Sequence, residues 1–440
     1  MPSVNLIPDD QPDSRLVLAR AMQAGLDAVR GEACLHGHLV PRTVEGRTVL
    51  LAVGKAAVSM MAGACDILGP EVEGIALTRY GHCGAIELPA GITVIEAAHP
   101  VPDAKGEAAA RRILALAESL SRQDRLIALI SGGGSALLAC PVPGVSLAEK
   151  QSLTRELLAS GASVAEMNCV RKHLSAIKGG RLALAASPAR VETYCISDVA
   201  GDDPAQIASG PTLPDRTSQA DARAVLDRHG IQPSSAVAAA LRDPANALPP
   251  ADHPVFVGAR VEVVASARTA LDAAAAALAE AGYTPVILGD AIEGDARAVG
   301  AAHAALALQY QVRGGRFALI SGGECTVRLT EGAGRGGPNA EYLMALALGL
   351  SGQPGISAIA VDTDGIDGNG DNAGAIIDET TLARAACSGV DWAAALDANR
   401  SYNSFAALGD LVLTGPTLTN VNDLRIILIE GAGAPHRDGL

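Results

Sequence analysis

Short apolar runs alternate with longer amphipathic segments along the chain. Four of these runs predict buried strands, at 48–53, 74–78, 126–130 and 193–196. The segment 104–120 has the periodicity of a helix, and Asp103 before it is a candidate N-cap residue. Strands that alternate with helices in this way predict an α/β fold, with a parallel sheet covered by helices on both faces.

The same alternation resumes after a proline-rich stretch at 246–254. Further strands are predicted at 261–265, 284–288, 316–320 and 425–429, and one more within the segment 356–365. A chain of 440 residues exceeds the length at which a single hydrophobic core usually stops growing. We therefore predict two α/β domains, 1–250 and 251–440, with the last strand a candidate for return to the first domain.

The composition argues against a nucleic-acid-binding protein. Lys and Arg number 34 against 48 Asp and Glu, which gives a net charge of −14, and aromatic residues make up only 2%. Neither the basic surface nor the aromatic stacking platform of such proteins is expected. An acidic chain can still hold a small anion, provided that its basic residues are concentrated at one site.

Neither a membrane span nor a secretion signal is expected. No stretch approaches the roughly 20 apolar residues that a spanning helix needs, and acidic residues stand near the start, where a signal peptide carries positive charge. The eight cysteines lack the spacing of a metal site. We therefore expect a cytoplasmic protein with reduced thiols and no membrane partner.

The hexapeptide ALISGG occurs twice, at 128–133 and 318–323. Each copy ends a predicted strand, and ligands of parallel sheets bind beyond the carboxyl ends of strands, where glycine turns let backbone N–H groups approach an anion. The alternative is that both are tight turns with a structural role. The candidate phosphate- or substrate-binding residues are Ser131, Gly132, Gly133, Gly134, Ser135, Ser321, Gly322, Gly323 and Glu324.

Two isolated basic residues stand beside glycines. Lys55 follows a predicted strand and Gly54, where its side chain can reach a phosphate, although the chain has no GxxxxGK[ST] P-loop sequence. Arg335 lies in a glycine-rich run ahead of a helix that Pro338 or Asn339 could begin. A guanidinium in such a place can bind phosphate or carboxylate oxygens with two hydrogen bonds.

A third basic group lies in the segment 167–183. If this segment is helical, Arg171, Ser175 and Lys178 share one face, which could bind an anion, and Asn168 stands one turn earlier. The alternative is a solvated basic face.

Carboxylates follow two predicted strands. Asp198 and Asp202 come after the strand at 193–196. Asp362 and Asp364 lie near the end of the predicted strand segment 356–365, and Asp367 follows it. Carboxylates in such loops suit a hydrated Mg²⁺ or a general base, and a capped acidic loop is the alternative.

Two other motifs in the second acidic loop are weak. A calcium-binding EF-hand loop is disfavoured because Asn372 stands where that loop needs glycine. The stretch 368–373 formally matches GxGxx[GA], but Asp367 and Asp371 would repel a dinucleotide pyrophosphate. The chain also shows no Ser/His/Asp or Cys/His set, so the inventory favours phosphoryl transfer, which needs positioning and charge neutralisation.

The order of the motifs resembles a known family. VGKAA, HPVPD, SGGGSALL, the 168–183 basic segment, ISDVAGDD, GRGGPN and DTDGIDG occur together in the glycerate 2-kinase family, whose carboxy-terminal half is called the MOFRL domain. The resemblance runs from about residue 15 to the end. It implies ATP- and Mg²⁺-dependent phosphorylation of D-glycerate to 2-phosphoglycerate, in a cleft between a Rossmann-like amino-terminal domain and the MOFRL domain.

The resemblance also implies site residues. The functional lysine, aspartate and arginine of the family fall on Lys55, Asp198 and Arg335. The remaining expected roles are substrate or phosphate binding by Asn168, Arg171, Lys178, Asn339 and the two glycine turns, and metal binding by Asp202, Asp362, Asp364 and Asp367.

Two other functions stay open from the sequence. Members of this family have also been labelled hydroxypyruvate reductases, but an NAD(P)H-dependent reductase should carry a dinucleotide fingerprint near the start, and VGKAAVS lacks it. A non-catalytic sensor of a small organic acid would not need the acidic loops. The sequence leaves a homo-oligomer open.

Overall fold

The computed structural model describes residues 13–42 and 44–431, and these form two compact units. The first unit is Arg30–Val264, and the second consists of the described residues 13–29 and 265–431. Helix α1 (Asp13–Ala28) therefore belongs to the second unit. The stretch 1–12, on which the expectation about a secretion signal rests, lies outside the described residues.

The first unit contains a six-stranded sheet. Its strands are β1 (Thr48–Val53), β2 (Glu73–Arg79), β3 (Ile92–Ala97), β4 (Arg125–Ile130), β5 (Arg190–Ile196) and β6 (Arg260–Ala265). They lie in the order β3-β2-β1-β4-β5-β6, and β1 to β5 run parallel. The chain moves outward from β1 to β3 and then returns to the other side of β1 with β4. The boundary between β1 and β4 is thus the topological switch point, where ligands bind in open α/β sheets.

Helices cover this sheet and build a small helical layer beside it. They are α2 (Gly31–Cys34), α3 (Ala57–Leu68), α4 (Ala104–Glu118), α5 (Gly134–Leu137), α6 (Leu147–Ala159), α7 (Val164–His173), α8 (Arg181–Ala186), α9 (Gln219–Arg228) and α10 (Ser235–Ala240), with 3₁₀ turns at Ile207–Ser209, Pro244–Asn246 and Pro254–Phe256. As expected, Asp103 caps α4, accepting a hydrogen bond from the Gly106 N–H at 2.8 Å. The helices α6, α7 and α9 begin with capping boxes at Ser146, Ser163 and Ser218.

The second unit has a mixed six-stranded sheet. Its helices and strands are α11 (Ala267–Glu280), β7 (Thr284–Gly289), β8 (Gly294–Asp295), α12 (Ala296–Arg313), β9 (Arg316–Gly323), β10 (Cys325–Thr326), α13 (Pro338–Leu350), β11 (Ile356–Asp362), β12 (Gly374–Ile377), α14 (Thr381–Cys387), α15 (Trp392–Asp397), α16 (Ser401–Leu408), β13 (Leu411–Val412) and β14 (Asp423–Glu430). The sheet order is β13-β12-β11-β14-β9-β7, and β8 pairs separately with β10.

The architecture confirms the α/β class and its first parallel sheet. In the second sheet only β7 and β9 run parallel, whereas β9, β14, β11, β12 and β13 pair antiparallel. Apolar side chains fill both faces of that sheet, so that Ile320 and Ile426 face one core while Leu319 and Ile427 face the other. Because strands buried on both faces are continuously apolar, their sequence does not disclose strand direction.

The two units do not divide at residue 250, where the sequence predicts the domain boundary. Strand β6 lies beyond that position, yet it forms an edge of the first sheet. Helix α1 joins the second unit because Leu18 and Met22 are buried in a core with Leu271 and Leu424. Strand β14 stays in the second unit, between β11 and β9, rather than returning to the first. Within residues 13–42 and 44–431, no helix has both the length and the apolar character that crossing a membrane requires.

Candidate functional site

The turns after β1 and β4 pack directly on each other at the switch point. The Lys55 N–H donates to the Gly132 oxygen at 2.8 Å, and the Ala56 N–H donates to Ser131 Oγ at 3.0 Å. Gly54 has φ +123°, and a Cβ there would lie 2.2 Å from Ser131 Oγ. Only glycine allows this approach. The motifs VGK and SGGGS therefore form one structure, with the Lys55 backbone fixed beside the glycine turn.

The glycine turn itself uses its residues in different ways. Ser131 is completely buried, and its hydroxyl oxygen accepts a hydrogen bond from the turn after β1. Contrary to the expectation from the sequence, this hydroxyl is therefore not exposed to a ligand. Gly133 is partly exposed in the left-handed region (φ +80°), and a Cβ there would lie 3.3 Å from Lys55 Cγ. Ser135 is partly exposed, and its hydroxyl lies 2.8 Å from Ser209 Oγ. The part that can meet a ligand is therefore Gly133 to Ser135, next to Lys55.

The basic segment after α6 does not form one long helix. Helix α7 ends at His173, so Arg171 lies in its last turn, while Ser175 forms a β-bridge with Pro141 and Lys178 lies in the following turn. The predicted helical face of Arg171, Ser175 and Lys178 is therefore wrong. The Ala176 N–H donates to the Cys140 oxygen at 2.8 Å, so the chain has left the helical path before it reaches Gly179 and Gly180. Asn168 is partly buried on α7, one turn before Arg171.

The Lys178 side chain nevertheless contacts the glycine turn. It is only 1% exposed, and its ammonium donates to the Ser135 carbonyl oxygen and to Ser135 Oγ, the latter at 3.2 Å. Burial, together with the neighbouring positive charges of Lys150 and Arg171, lowers the pKa of Lys178 well below its usual value. A buried basic group thus forms hydrogen bonds with the turn that contains Ser135.

Lys150 on α6 is a buried cation that the sequence analysis missed. Its ammonium donates to the Leu174 oxygen at 3.2 Å, and burial is the main reason that its pKa falls to about 7. The signal was present in the pattern, because Lys150 lies on the same helix face as the buried Leu153 and Leu157, where an apolar residue is expected.

Asp198 follows the end of β5, and β5 is the neighbour of β4 in the sheet. It is partly buried and begins the loop that leads to Ser209. Asp202, Ala208 and Ser209 adopt positive φ values of 53°, 50° and 63°. Such backbone strain in non-glycine residues is concentrated at functional sites in proteins.

The loop after Asp198 is tied to the glycine turn and to the turn of Lys178. The Gly179 N–H donates to the Ser209 oxygen at 3.2 Å, and the Ser209 hydroxyl contacts Ser135. Neighbouring strands lie about 4.8 Å apart. The carboxyl ends of β1, β4 and β5 therefore place Lys55, the glycine turn and Asp198 in a row of about 10 Å at one end of the sheet.

The second ALISGG turn, in the other unit, is used internally. Ser321 is buried in β9 opposite Arg425, and the Gly322 oxygen accepts hydrogen bonds from the Ile292 N–H (3.1 Å) and from Arg425 (3.2 Å). A Cβ at Gly323 would lie 2.2 Å from the Ile292 nitrogen. These contacts match the structural alternative for this turn, whereas Glu324 directly after it is exposed.

Asn339 and Asp367 belong to a buried network at the start of α13. The two Asp367 carboxylate oxygens accept the N–H groups of Asn339 (2.9 Å) and Ala340 (3.0 Å), and Asn339 Nδ2 donates to Asp423 at 2.6 Å. Burial raises the pKa of Asp367 to about 7 despite these bonds, and the nearby Asp423 charge adds to the rise. The carboxylate thus holds a helix N-terminus in place.

The remaining acidic candidates lie in local turns. Asp362 Oδ1 accepts the Asp364 N–H at 2.9 Å, and Asp364 Oδ1 accepts the Ile366 N–H at 2.8 Å. Within the described part of the chain, no group of three or more His, Cys, Asp or Glu side chains is arranged to hold a metal ion.

Arg335 is held in a small surface assembly of the second unit. Its guanidinium carbon lies 3.8 Å from the centre of the Tyr402 ring, and its Nη2 lies 3.0 Å from Asp371 Oδ1. The Tyr402 hydroxyl donates to the same Asp371 oxygen at 2.7 Å, and the Tyr402 N–H donates to the Arg335 oxygen at 3.0 Å. Arg335 remains 42% exposed, so a fixed guanidinium faces solvent.

Tyr402 was not identified from the sequence. It stands at the start of α16, distant along the chain from Arg335, in a protein with only six tyrosines. Aromatic scarcity is the one signal that could have drawn notice to it, because cation–π stacking is a common way to fix an arginine.

Comparison with known proteins covers almost the whole chain. Residues 17–242 match the family described as "Domain of unknown function (DUF4147)", and residues 317–423 match the MOFRL family. The chain is 38% identical over 397 residues to the D-glycerate 2-kinase of Thermotoga maritima, an alignment that spans 89% of this chain and 92% of that protein. It is 48% identical over 427 residues to a protein of Agrobacterium vitis provisionally named hydroxypyruvate reductase, spanning 94% of each.

A solved structure shows the same fold. The crystal structure of glycerate kinase from Thermotoga maritima matches with a TM-score of 0.85 and 36% sequence identity, over 95% of this chain and 100% of that chain.

Proposed function

Because the chain belongs to the glycerate 2-kinase family, we propose that it transfers the γ-phosphoryl group of ATP to the 2-hydroxyl of D-glycerate, giving ADP and 2-phosphoglycerate. The observation that carries this proposal is the pair of interlocked turns at the switch point, where Lys55 and the glycine turn lie beside the loop of Asp198. Phosphoryl transfer requires little else than positioning and charge neutralisation, and this sheet edge offers both.

Each of the three principal residues has a distinct role in this proposal. Lys55, fixed by its backbone beside the glycine turn, neutralises charge on the transferring phosphoryl group. Asp198 orients the 2-hydroxyl and accepts its proton, which a carboxylate can do at a distance of one hydrogen bond. Arg335 supplies two parallel donors to phosphate oxygens, as a planar guanidinium can.

The carboxylates present fit Mg²⁺ only in part. Mg²⁺ commonly keeps several waters and binds one or two carboxylates together with substrate phosphates, and when bound it would neutralise phosphate charge. Asp202, Asp362 and Asp364 remain our candidates for such ligands. Asp367 fits poorly, because both of its oxygens accept backbone N–H groups of α13.

The proposal requires both units of the chain. Lys55 and Asp198 belong to the first unit and Arg335 belongs to the second, so we propose that the substrates bind in a cleft to which both contribute. We further propose that the enzyme works in the cytoplasm on small molecules and binds neither nucleic acid nor membranes, as expected from a net charge of −14.

The test is incubation of the purified chain with D-glycerate and Mg²⁺-ATP. We expect ADP and 2-phosphoglycerate in equal amounts, with the phosphoglycerate isomers separated and measured. A parallel reaction with hydroxypyruvate and NADH tests the activity named for the Agrobacterium vitis relative. Oxidation of NADH without formation of ADP from glycerate would replace the kinase by a reductase.

A further inference from the structure

The first unit concentrates buried positive charge beneath the glycine turn. The basic side chains concerned are Lys150 on α6, Arg171 and Lys172 on α7, Lys178, and Arg181 on α8. Lys150, Lys172 and Lys178 are buried, and the two arginines are partly buried. Of these five side chains, only Lys172 has a carboxylate partner among the described residues, Asp215 at 2.5 Å.

Lys150, Lys178 and Arg181 donate hydrogen bonds to neutral groups. Lys178 donates to Ser135, Lys150 donates to the Leu174 oxygen, and Arg181 donates to backbone oxygens including that of Lys172 (3.2 Å). Neutral acceptors satisfy the hydrogen-bonding groups but do not offset the charge. Burying an unpaired charge costs several kcal/mol, so a buried lysine gives up its proton more easily unless an opposite charge, such as that of a bound anion, lies close to it.

Lys178 connects the cluster to the glycine turn at the switch point. Ser135 connects Lys178 to the partly exposed end of the glycine turn, and the Ser209 hydroxyl joins it there. Arg171 is partly exposed, and no carboxylate of the described residues pairs with its guanidinium. Its five donors match the two oxygens of a carboxylate, which a guanidinium binds with two parallel hydrogen bonds.

We propose that Arg171 binds the carboxylate of the hydroxy-acid substrate. The ammonium groups of Lys178 and Lys150 add positive charge that favours an anion at this place, and we call these three side chains the anion seat. This assigns the acid to the first unit. The identity of the acid rests on the proposed kinase function, whereas the anion seat rests on the buried cluster itself.

The protonation of the cluster provides a readout specific to this role. Burial and the surrounding charges of Arg171, Lys172 and Arg181 lower the pKa values of Lys150 and Lys178, and the Cys140 thiol acts in the opposite direction. A bound carboxylate stabilises the charged form and raises these pKa values again. At pH 8, above the value of about 7 for Lys150, binding of the acid should therefore take up protons from the buffer.

The experiment is titration calorimetry of the full chain with D-glycerate, and separately with its neutral methyl ester and with inorganic phosphate, in buffers of different ionisation enthalpy at pH 8. The variants are Arg171→Gln and Lys150→Met, and Arg155→Gln is the matched control because Arg155 is exposed on α6. We expect Arg171→Gln to weaken D-glycerate about ten- to hundredfold and to bind the acid and the ester alike. Lys150→Met should lower proton uptake, and the control should match the unmodified chain.

The outcomes separate the seat from the enzyme function. Unchanged D-glycerate affinity and proton uptake in both variants would overturn the seat even if the chain is a glycerate kinase. If Arg171→Gln loses affinity for phosphate but retains its affinity for D-glycerate, the assignment of Arg171 to a carboxylate is overturned. If D-glycerate fails to bind but another hydroxy acid binds with proton uptake that Arg171→Gln abolishes, the seat stands and the glycerate assignment falls. If no carboxylate binds to the unmodified chain, the proposed seat is overturned.

Discussion

The backbone of Lys55 is held in place by its neighbours. Its N–H donates to Gly132, and Gly54 before it has a conformation and a close contact that exclude any side chain. The Gly-Lys pair after a strand predicted this location from the sequence. The interlocking with the SGGGS turn could not be predicted, because it depends on β1 and β4 being neighbours in the sheet.

We expect Lys55→Ala to fold normally and to lose at least about a hundredfold in turnover, the scale seen when one group that stabilises transition-state charge is removed. The backbone N–H that bonds Gly132 remains in the variant, so the turn should persist. Steady-state kinetics with D-glycerate and Mg²⁺-ATP measure the effect. Lys105→Ala, which changes an exposed lysine of the same unit, is the control. Turnover near that of the control would leave Lys55 with a structural role only.

Arg335 illustrates a contact that sequence cannot disclose. Its guanidinium lies between the Tyr402 ring and the Asp371 carboxylate, and the Tyr402 hydroxyl fixes that carboxylate. The arginine was identified from its glycine-rich surroundings. The two side chains that orient it come from other loops and depend on the tertiary fold.

We predict that the stack on Tyr402 matters more than its hydroxyl. Tyr402→Phe keeps the ring beneath the guanidinium and should lose less than about threefold in kcat, whereas Tyr402→Leu should lose about fivefold, as expected for a stacking energy near 1 kcal/mol. Arg335→Lys should lose more than either, because the charge stays but the planar pair of donors is removed. The kcat and KM values for ATP and D-glycerate distinguish these effects. Equal kinetics for Tyr402→Leu and Tyr402→Phe would contradict a positioning role for the ring.

At the scale of whole elements, the sequence predicted most strands and the cap of α4 but not the membership of the units. Apolar runs predicted β1, β2, β4, β5, β9, β11 and β14 within a few residues. The same runs could not show that β14 lies antiparallel between β11 and β9, since both faces of that sheet are buried. Helix α7 ended earlier than its basic periodicity indicated because the chain leaves the helix at Leu174 and pairs with the segment 140–142.

Helix α1 gives a direct test of the observed division into units. Leu18 is completely buried against the second sheet, whereas Leu16 on the same helix is 40% exposed. We expect Leu18→Ala to reduce the free energy of unfolding of the second unit by about 2–5 kcal/mol, the usual cost of a cavity at a buried leucine, and Leu16→Ala to have little effect. Trp392 is the sole tryptophan and is buried against Phe405 in the second unit, so denaturant titration followed by its fluorescence reports on that unit. Equal midpoints for the two variants would contradict the packing of α1 on this sheet.

At the scale of the whole molecule, the proposed chemistry divides between two cores that can respond differently to denaturant. Lys55, Asp198 and the buried cations lie in the first unit, whereas Arg335 and Tyr402 lie in the second. Two units with separate cores need not unfold in one transition. A variant that weakens one unit alone can therefore show whether catalysis needs both.

We predict that activity in Leu18→Ala disappears together with the second unit, even while the first stays folded. At denaturant concentrations where Trp392 fluorescence has changed but part of the helical circular dichroism remains, the first unit still presents Lys55 and Asp198, yet Arg335 has lost the structure that orients it. Turnover should then fall in parallel with the fluorescence transition, and in the Leu16→Ala control both should occur at higher denaturant. Turnover that persists after the Trp392 transition is complete would show that the first unit is sufficient, and it would remove Arg335 from the proposed mechanism. Turnover lost well before that transition would instead point to inhibition by the denaturant, which the same measurement in the unmodified chain identifies.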